Sequence, residues 1–353
     1  MKRYNPVTGE RGECIAVGRG AIAIRLALSI INDKFEYVLV PANICYAAVL
    51  PIIYAGYLPV FCDVDENTGN VTIDSIRDSI KGEIGAAILP HMYGNPIQNL
   101  PDIVEYLHSI NVKVIEDCAS LMTRGGIDYI PGTIGDFTVY STGYSKTIDL
   151  GFGGLLFSKK YDVESLERIE SGLPPFKQAY KEEWEIFSKV YRVLRNSNEN
   201  SRIAKIVYDN LGEALRGSYY LSITEEEKTQ VFECIDQLDR IVSERKRQHK
   251  LYLDALRIPE ACYYPFQPDS VPWRFNLLCM EGRKELINYC LKRNLPVSDW
   301  YPRVTPIFGD SDRYPGAYRH EKRILNFPLL ISDDEIKEIC SCVNEFFEKE
   351  NYI

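Results

Sequence analysis

Lys146 is the residue of this 353-residue sequence whose surroundings first indicate chemistry. It is the only lysine between residues 113 and 159, and it lies in the Gly-, Ser- and Tyr-rich stretch YSTGYSKTIDLGFGG, which joins two apolar runs. A lysine amine drawn away from bulk water has a lowered pKa and can attack a carbonyl carbon to form a Schiff base. An exposed loop lysine is the plainer interpretation, so a catalytic role for Lys146 requires partners.

Asp117 is the first of these partners. It ends the segment VKVIED, whose apolar residues predict a buried strand. A carboxylate at the end of a buried strand is costly unless it caps a helix or meets a cation. The strand alone therefore leaves helix capping and function equally open for Asp117.

A glycine turn provides a third element. The residues VGRGAI at 17–22 follow the apolar run CIAV and open a helical pattern. Glycines let backbone N–H groups approach an anion, and a helix N-terminus favours phosphate. Gly18, Gly20 and Ala23 also fit the GxGxxA pattern of dinucleotide binding, which requires an acid at the end of the next strand. That strand, YVLVP, is followed by Ala42 and Asn43, so the dinucleotide interpretation is disfavoured.

The elements that must position these residues are short apolar runs alternating with helical patterns. The runs CIAV, YVLVP, LPVFCDV, AAILP, VKVIED, FTVYS and LLFS predict strands, and the segments 20–31, 43–56, 72–81 and 98–109 predict helices. Such alternation indicates a mostly parallel sheet covered on both faces, with its site beyond the carboxyl ends of the strands. An anion pocket, a strand-end Asp and a loop Lys at that edge are the parts of a pyridoxal phosphate site.

The rest of the chain predicts a second, smaller α+β domain. The charged and aromatic segment 159–222 predicts an extended helical region, either solvated or at an interface. An amphipathic helix over 224–256 opens with the capping-box pattern TEEE. The strand WRFNLLCM, a helix over 283–293, a loop over 302–315 and a helix over 333–349 follow. We expect a large domain over 1–235 and a small domain over 236–353.

Composition limits the partners that we expect. Lys and Arg total 41 against 50 Asp and Glu, a net charge of −9, which disfavours a nucleic-acid partner. No apolar stretch is long enough for a signal peptide or a membrane span. The ten cysteines form no CxxC pair, so reduced, buried thiols are expected and a zinc site is not. The protein is therefore predicted to be cytoplasmic, with no membrane partner.

Several segments, in order, resemble one family. These are VLVPANICYAAVLPIIYAGYLPVFCDVDENTGNVTIDSI, HMYGNP, VKVIEDCAS, SKTIDLGFGG and ILNFPL. They resemble the DegT/DnrJ/StrS family of sugar aminotransferases, which have the fold of aspartate aminotransferase (fold type I). The resemblance implies an α/β fold with a three-layer α/β/α large domain around a mostly parallel sheet. It also implies a small C-terminal α+β domain, pyridoxal 5'-phosphate as cofactor and a homodimer.

The resemblance also implies a role for each site residue. Lys146 would form the Schiff base with the cofactor and move the proton between the substrate and the cofactor. Asp117 would keep the pyridine nitrogen protonated, which preserves the electron-withdrawing capacity of the ring. Ser141 would bind the phosphate together with the backbone amides of Arg19 and Gly20.

The sequence departs from the family pattern at four positions. Ser120 stands where the family usually has Gln or His, and Cys45 stands at the position of the aromatic residue that stacks on the cofactor ring, with Tyr46 beside it as a substitute. Tyr220 replaces an Asn that contacts the phosphate from the partner subunit, and Ser222 replaces an Arg. These changes indicate a divergent branch, with donor recognition and phosphate binding across a dimer in question.

The activity implied is transfer of an amino group from an amino acid, commonly glutamate, to a keto group on a nucleotide-linked sugar. A keto-deoxysugar dehydratase is one alternative, but such relatives typically carry His at the position of Lys146. A non-catalytic binding or regulatory protein is the other, and retention of Lys146, Asp117 and Ser141 together disfavours it.

Overall fold

The main feature of the fold is an eight-stranded sheet. The computed structural model describes residues 1–31, 35–173, 185, 189, 221–309 and 313–349. The strands are β1 Lys2–Tyr4, β2 Arg11–Val17, β3 Tyr37–Pro41, β4 Leu58–Cys62, β5 Ile84–Pro90, β6 Lys113–Asp117, β7 Phe137–Ser141 and β8 Gly154–Ser158. Their order is β1-β2-β8-β7-β6-β5-β3-β4. The neighbours from β7 to β4 pair in parallel, whereas β8 is antiparallel to β7 and β2, and β1 is antiparallel to β2.

Helices cover both faces of this sheet. They are α1 Gly20–Ile30, α2 Tyr46–Tyr54, α3 Ile73–Ser79 and α4 Leu100–Ser109. Helices α1 and α2 connect each strand to one that lies nearer the β4 edge of the sheet. Helices α3 and α4 connect each strand to one that lies nearer the β1 edge. Because crossover connections are right-handed, the two pairs of helices lie on opposite faces. The predicted three-layer α/β arrangement around a mostly parallel sheet is confirmed.

Burial on both faces explains the apolar composition of the strands. Every residue of β7 and β8 is buried, and so are the last four residues of β3 and β6. Burying one Leu, Ile or Val side chain stabilises the fold by about 1.5–3 kcal/mol. All seven strands predicted in this part of the chain form, and the helices lie within the predicted ranges. The exposed β1, which has no apolar pattern, was not predicted.

The region after β8 begins with helix α5, Glu164–Ser171. Most of the segment predicted as an extended helical region lies outside the described residues, since positions 174–184, 186–188 and 190–220 are not among them. The chain then forms α6 Glu225–Glu233 and α7 Leu238–Ala255. Thr224 and Glu227 exchange hydrogen bonds in the predicted capping box.

The prediction of one continuous helix over 224–256 was wrong. A 3-10 turn over Cys234–Gln237 separates α6 from α7. Cys234, Ile235 and Leu238 all pack in one apolar cluster with Tyr140 of β7. In a straight α-helix, adjacent residues point in directions about 100° apart. The tighter 3-10 turn changes these directions, and both Cys234 and Ile235 pack in the same cluster.

The C-terminal region has its own small sheet and core. Its strands β9 Phe275–Leu278 and β10 Ile324–Phe327 are antiparallel, and its helices are α8 Arg283–Leu291, α9 Thr305–Phe308, α10 Pro315–Arg323 and α11 Asp333–Lys349. The predicted loop over 302–315 therefore contains a short helix. Leu238 of α7 packs with the large sheet and Tyr252 packs in the C-terminal core, so α7 connects both cores. The predicted boundary at 235/236 stays a prediction.

The helices and the cysteines can also be compared with the expectations from the sequence. None of the helices described has the length and apolar character that crossing a bilayer requires. All ten cysteines are unpaired, and nine of them are buried.

Candidate active site

The predicted site residues converge at one edge of the large sheet. Asp117 is the last residue of β6 and Ser141 is the last residue of β7, two parallel neighbours. Strand β2 runs in the same direction as β7, because both are antiparallel to β8, so the turn before Gly20 lies at this edge as well. Lys146 follows Ser141 in the loop between β7 and β8.

Asp117 is a buried acid with few polar partners. Its Oδ1 accepts a hydrogen bond of 2.9 Å from the Ala119 N–H, and only 7% of the residue is exposed. Burial raises the pKa of Asp117 above its ordinary value, although the Ala119 N–H and the positive charge of Lys146 oppose this rise. A protonated ring nitrogen facing this carboxylate would compensate for its burial.

A hydrogen-bonded pair behind Asp117 fixes the end of β6. His91 Nε2 lies 3.0 Å from a carboxylate oxygen of Glu116, and both side chains are fully buried. Since His91 Nδ1 accepts the Ile97 N–H, its Nε2 donates to Glu116. The backbone N–H of His91 donates to the carbonyl of Asp117. Burial alone would raise the pKa of Glu116, but the bonds from His91 and from backbone N–H groups lower it.

Lys146 contacts a phenol from the C-terminal region. The Tyr301 hydroxyl, Cys45 and Asp117 are close enough to its amine to influence its charge. Burial disfavours the ammonium, but these three groups favour it more strongly, so the pKa of Lys146 is raised. An amine held between a carboxylate and a phenol has proton donors and acceptors within reach.

From the sequence, Tyr301 is a candidate for lining a sugar pocket together with Trp273 and Trp300, but the core of the small domain is the favoured place for these aromatic residues. The structure places its ring against Trp273, with centroids 5.2 Å apart, and its hydroxyl next to Lys146. The Tyr301 N–H donates to the Tyr93 hydroxyl over 3.0 Å. Tyr301 thus belongs to a core and to the site at once, and only the cluster of aromatics in the sequence hinted at it.

Arg245 of α7 holds the Lys146 loop in place. Its guanidinium donates to the carbonyl oxygens of Lys146 at 2.8 Å and Thr147 at 3.2 Å, and to those of Trp273 and Pro272. Burial lowers the pKa of Arg245 to about 10, and the nearby charge of Arg274 acts in the same direction. Arg245 therefore stays charged at neutral pH and connects the loop to the C-terminal region. No sequence pattern predicts this role.

The phosphate end of the site is a close approach between α1 and β7. A Cβ on Gly20 would lie 3.1 Å from Ser141 Cβ, so a larger residue would require α1 or β7 to shift by a few tenths of an ångström. The Ser141 hydroxyl accepts the Gly143 N–H at 3.3 Å. Arg19 precedes α1, and no side chain caps the helix. An uncapped helix N-terminus beside a serine hydroxyl is a suitable place for a phosphate.

The four residues that depart from the family pattern differ in how close they lie to Lys146. Ser120 hydrogen-bonds Tyr301, and Cys45 lies near Lys146 and Asp117. Tyr46 is buried in the large hydrophobic core. Ser222 lies between two residues that approach Gly18 of the turn. Tyr220 lies outside the described residues.

These groups fit pyridoxal phosphate. The uncapped helix and the serine hydroxyl suit its phosphate, the buried carboxylate suits a protonated ring nitrogen, and the lysine amine suits its aldehyde. Two observations favour a cofactor site over an edge whose residues only stabilise the fold. They are the close contact at Gly20 and the burial of Asp117.

The family model of the DegT/DnrJ/EryC1/StrS aminotransferases matches residues 7–344. The chain belongs to this family. Members of the family are pyridoxal phosphate-dependent aminotransferases, so the predicted cofactor and enzyme class are confirmed.

Individual relatives agree with this assignment. GDP-perosamine synthase of Escherichia coli O157:H7 is 34% identical over 141 residues, which are 40% of this chain and 38% of that enzyme. The dTDP-4-dehydro-2,3,6-trideoxy-D-glucose 4-aminotransferase of Saccharopolyspora spinosa is 25% identical over 95% of this chain and 83% of its own length. The aminotransferase TlmJ of Streptoalloteichus hindustanus has the same fold, with a TM-score of 0.71 and 19% identity over 96% of this chain and 86% of its own.

Proposed function

We propose that this family member transfers the amino group of an amino acid, with glutamate as the expected donor, to a keto group on a nucleotide-linked sugar. The observation that carries the proposal is the position of the Lys146 amine, which lies beside Asp117 and Tyr301 at the carboxyl ends of the strands. The names of the relatives from Escherichia coli and Saccharopolyspora spinosa support the class of acceptor.

Each residue of the site would have one task. Ser141 and the start of α1, with the amides of Arg19 and Gly20, would hold the phosphate. The Asp117 carboxylate would accept the ring N–H. When bound, pyridoxal phosphate supplies an aldehyde that takes up the amino group and a ring that withdraws electrons from the reacting carbon. Lys146 Nζ would accept and return the proton at that carbon.

The neighbours of Lys146 would keep its amine in position. The Tyr301 hydroxyl would hold Nζ on one side, and Arg245 would fix the carbonyl of the same residue. The Ser120 hydroxyl would orient Tyr301. Cys45 would lie where most relatives place an aromatic ring, which leaves more room above the cofactor.

We further propose a cytoplasmic homodimer, with no membrane or nucleic-acid partner. The ten unpaired cysteines support a reducing compartment. Family resemblance supports the dimer, and sedimentation equilibrium would test it: twice the mass of 40.5 kDa is expected, and a monomer at micromolar concentration would contradict it.

Turnover with defined substrates tests the activity. The purified protein, pyridoxal phosphate and L-glutamate are incubated with GDP-, dTDP- and UDP-linked 4-keto-6-deoxysugars, and 2-oxoglutarate and the amino sugar are measured. Equal amounts of both products from at least one acceptor are expected. Loss of the keto-sugar without 2-oxoglutarate would contradict transfer and indicate the dehydratase alternative.

A further inference from the structure

The side chain of Arg274 is a cation beside the site, and its partners in the described part of the chain are neutral. Its guanidinium donates to the Ser145 hydroxyl at 3.0 Å and to the Ser298 hydroxyl, and it lies over the Trp273 ring at 4.4 Å. Among the residues that the structure describes, no carboxylate forms an ion pair with it. A guanidinium has five N–H donors, and the two hydroxyls use only part of them.

Arg274 is held close to the reacting amine. Ser145 immediately precedes Lys146, and the Ser145 carbonyl accepts the indole N–H of Trp273. Trp273 in turn stacks on Tyr301, whose hydroxyl contacts the lysine. The charge of Arg274 reaches the Tyr301 phenol. The guanidinium is therefore bonded to the residue before Lys146, and its charge acts on the phenol that lies near the lysine amine.

A half-buried cation without an acid is costly. Burial lowers the pKa of Arg274, which reflects the loss of hydration that no nearby carboxylate restores. The planar fork of a guanidinium matches a carboxylate or a phosphate through two parallel hydrogen bonds. An anionic group of a substrate would therefore complete this part of the site.

Two anionic groups enter the site in the proposed reaction, and their distance from the reacting carbon differs. The α-carboxylate of an amino acid is bonded directly to the carbon that carries the amine. The diphosphate of a nucleotide-linked 4-keto-sugar is separated from the reacting carbon by the sugar ring. A cation anchored to the residue before Lys146 matches the nearer of these two groups.

The replacement at Ser222 is consistent with this choice. The family resemblance implies an arginine at position 222, and serine provides no charge there. Arg245 is a second basic side chain close to Lys146, but its guanidinium donates its hydrogen bonds to backbone carbonyls. Arg274, by contrast, keeps open N–H donors beside its two hydroxyl partners.

We propose that Arg274 binds the α-carboxylate of the amino-acid donor, and this inference rests on the proposed transfer of an amino group. The site thus takes the donor through one bidentate contact from the C-terminal region. The adjacent Trp273 and Ser298 hold the guanidinium in the required plane.

Substitution of Arg274 tests the proposal in the holoenzyme. Arg274→Gln removes the charge, Arg274→Lys keeps it without the fork, and Arg293→Gln is the matched control. Arg293 also stacks on an aromatic ring of the C-terminal region, Tyr289 at 3.7 Å, but pairs with Glu345. Removing a charged partner of a carboxylate should raise the KM for L-glutamate about 100-fold in Arg274→Gln, with a smaller rise in Arg274→Lys.

Further measurements separate this role from others. The affinity for pyridoxal phosphate and the KM for the keto-sugar should stay within about twofold in Arg274→Gln, and Arg293→Gln should match the wild type. 4-Aminobutyrate, which lacks the α-carboxylate, should react poorly with the wild type and lose little further in Arg274→Gln. A rise in the KM for the keto-sugar alone would overturn the proposal in favour of the diphosphate, and unchanged values for both substrates would also overturn it.

A binding measurement keeps this inference distinct from the proposed function. Calorimetric titration with 2-oxoglutarate needs no turnover and should show binding to the wild type that is about 100-fold weaker in Arg274→Gln. If no acceptor sugar is converted but this difference is present, the acceptor assignment fails and the role of Arg274 stands. If 2-oxoglutarate binds both proteins equally, the role of Arg274 is wrong.

Discussion

At the residue scale, the site depends on a carboxylate that the protein keeps away from water. Asp117 receives a single N–H bond from Ala119, and burial raises its pKa. A ring N–H opposite this carboxylate favours its charged form. In the proposed site, binding of the cofactor and ionisation of Asp117 would therefore be coupled.

This coupling predicts that the affinity for the cofactor depends on pH because Asp117 titrates. Because the free protein has a raised pKa at this residue, acidification protonates Asp117 at a higher pH than an ordinary aspartate and weakens binding of pyridoxal phosphate. In Asp117→Asn this part of the pH dependence should disappear, and turnover should fall by on the order of 100-fold or more. Fluorescence titrations between pH 4 and 8 measure the affinity, and an unchanged pH profile in the variant would contradict the role.

Single residues differ in how far the sequence reveals them. Lys146 and Asp117 each have a local pattern, an isolated lysine among glycines and an acid after an apolar strand, but this pattern leaves a structural interpretation open, and only the family resemblance assigns the two residues a role. Tyr301 and Arg274 reach the site from a distant part of the chain, and neither has a local pattern that indicates the contact. Such contacts follow from the packing of the two regions, which one sequence does not specify.

At the element scale, α7 links the Lys146 loop to the C-terminal region through Arg245. The side chain donates to four backbone carbonyls that lie on both sides of this junction. Buried carbonyls that lose a charged donor are expensive. The helix thus contributes to the stability of the fold and to the geometry of the amine.

Arg245→Met should reveal both contributions. The free energy of unfolding should fall by about 3 kcal/mol, because the carbonyls lose their donor. The remaining folded protein should bind pyridoxal phosphate with a slower reaction at Lys146, since the carbonyl of that residue is no longer fixed. Urea unfolding and stopped-flow absorption measure the two effects.

Arg247→Met is the control on the same helix. Its guanidinium pairs with Glu244 and Asp333 and is 49% exposed, so a loss of at most about 1 kcal/mol is expected. Equal losses of unfolding free energy in Arg245→Met and Arg247→Met would contradict the stabilising role of the hydrogen bonds from Arg245 to the backbone carbonyls.

The elements themselves were largely predictable from the sequence. Strands β3 and β5 to β8 are buried over nearly their whole length, and β2 and β4 over their last residues, so their apolar runs distinguish them from the helices around them. The break at Cys234–Gln237 was not predictable, because the residues of this turn are compatible with a helix and only packing against Tyr140 separates α6 from α7. The exposed strand β1 lacks any apolar pattern.

At the scale of the whole molecule, a buried hydrogen-bond chain connects the large sheet to the C-terminal region. His320 of α10 contacts the Glu66 carbonyl through Nδ1 and the Tyr93 hydroxyl through Nε2, each at 3.0 Å. Tyr93 then accepts the N–H of Tyr301. Burial lowers the pKa of His320 to about 4.

Acid should therefore destabilise the protein through His320. The unfolded chain binds a proton near pH 6.5, whereas the folded protein does not until about pH 4. Stability is lost as the pH falls between these values, by about 3 kcal/mol for this residue. In His320→Gln the loss of unfolding free energy between about pH 6.5 and pH 4 should be smaller by about that amount. Chemical unfolding at several pH values measures it, and parallel curves for the two proteins would contradict the assignment.

The arrangement of the whole chain was only partly predictable. The alternation of strands and helices indicated a covered parallel sheet, and the edge where the site would lie followed from it. The strand order and the contact of the C-terminal region with Lys146 depend on long-range packing. The family resemblance supplied the type of fold, and the observed sheet and the solved structures of the same fold confirm it.

The absorption spectrum of the purified protein with pyridoxal phosphate shows whether Lys146 holds the cofactor. It is recorded for the wild type and Lys146→Ala, before and after addition of L-glutamate. We expect a yellow wild-type protein that keeps its colour on gel filtration and loses it with glutamate, and a Lys146→Ala protein that never acquires that colour. Identical spectra for the two proteins would contradict the assignment of Lys146 as the amine that holds the cofactor.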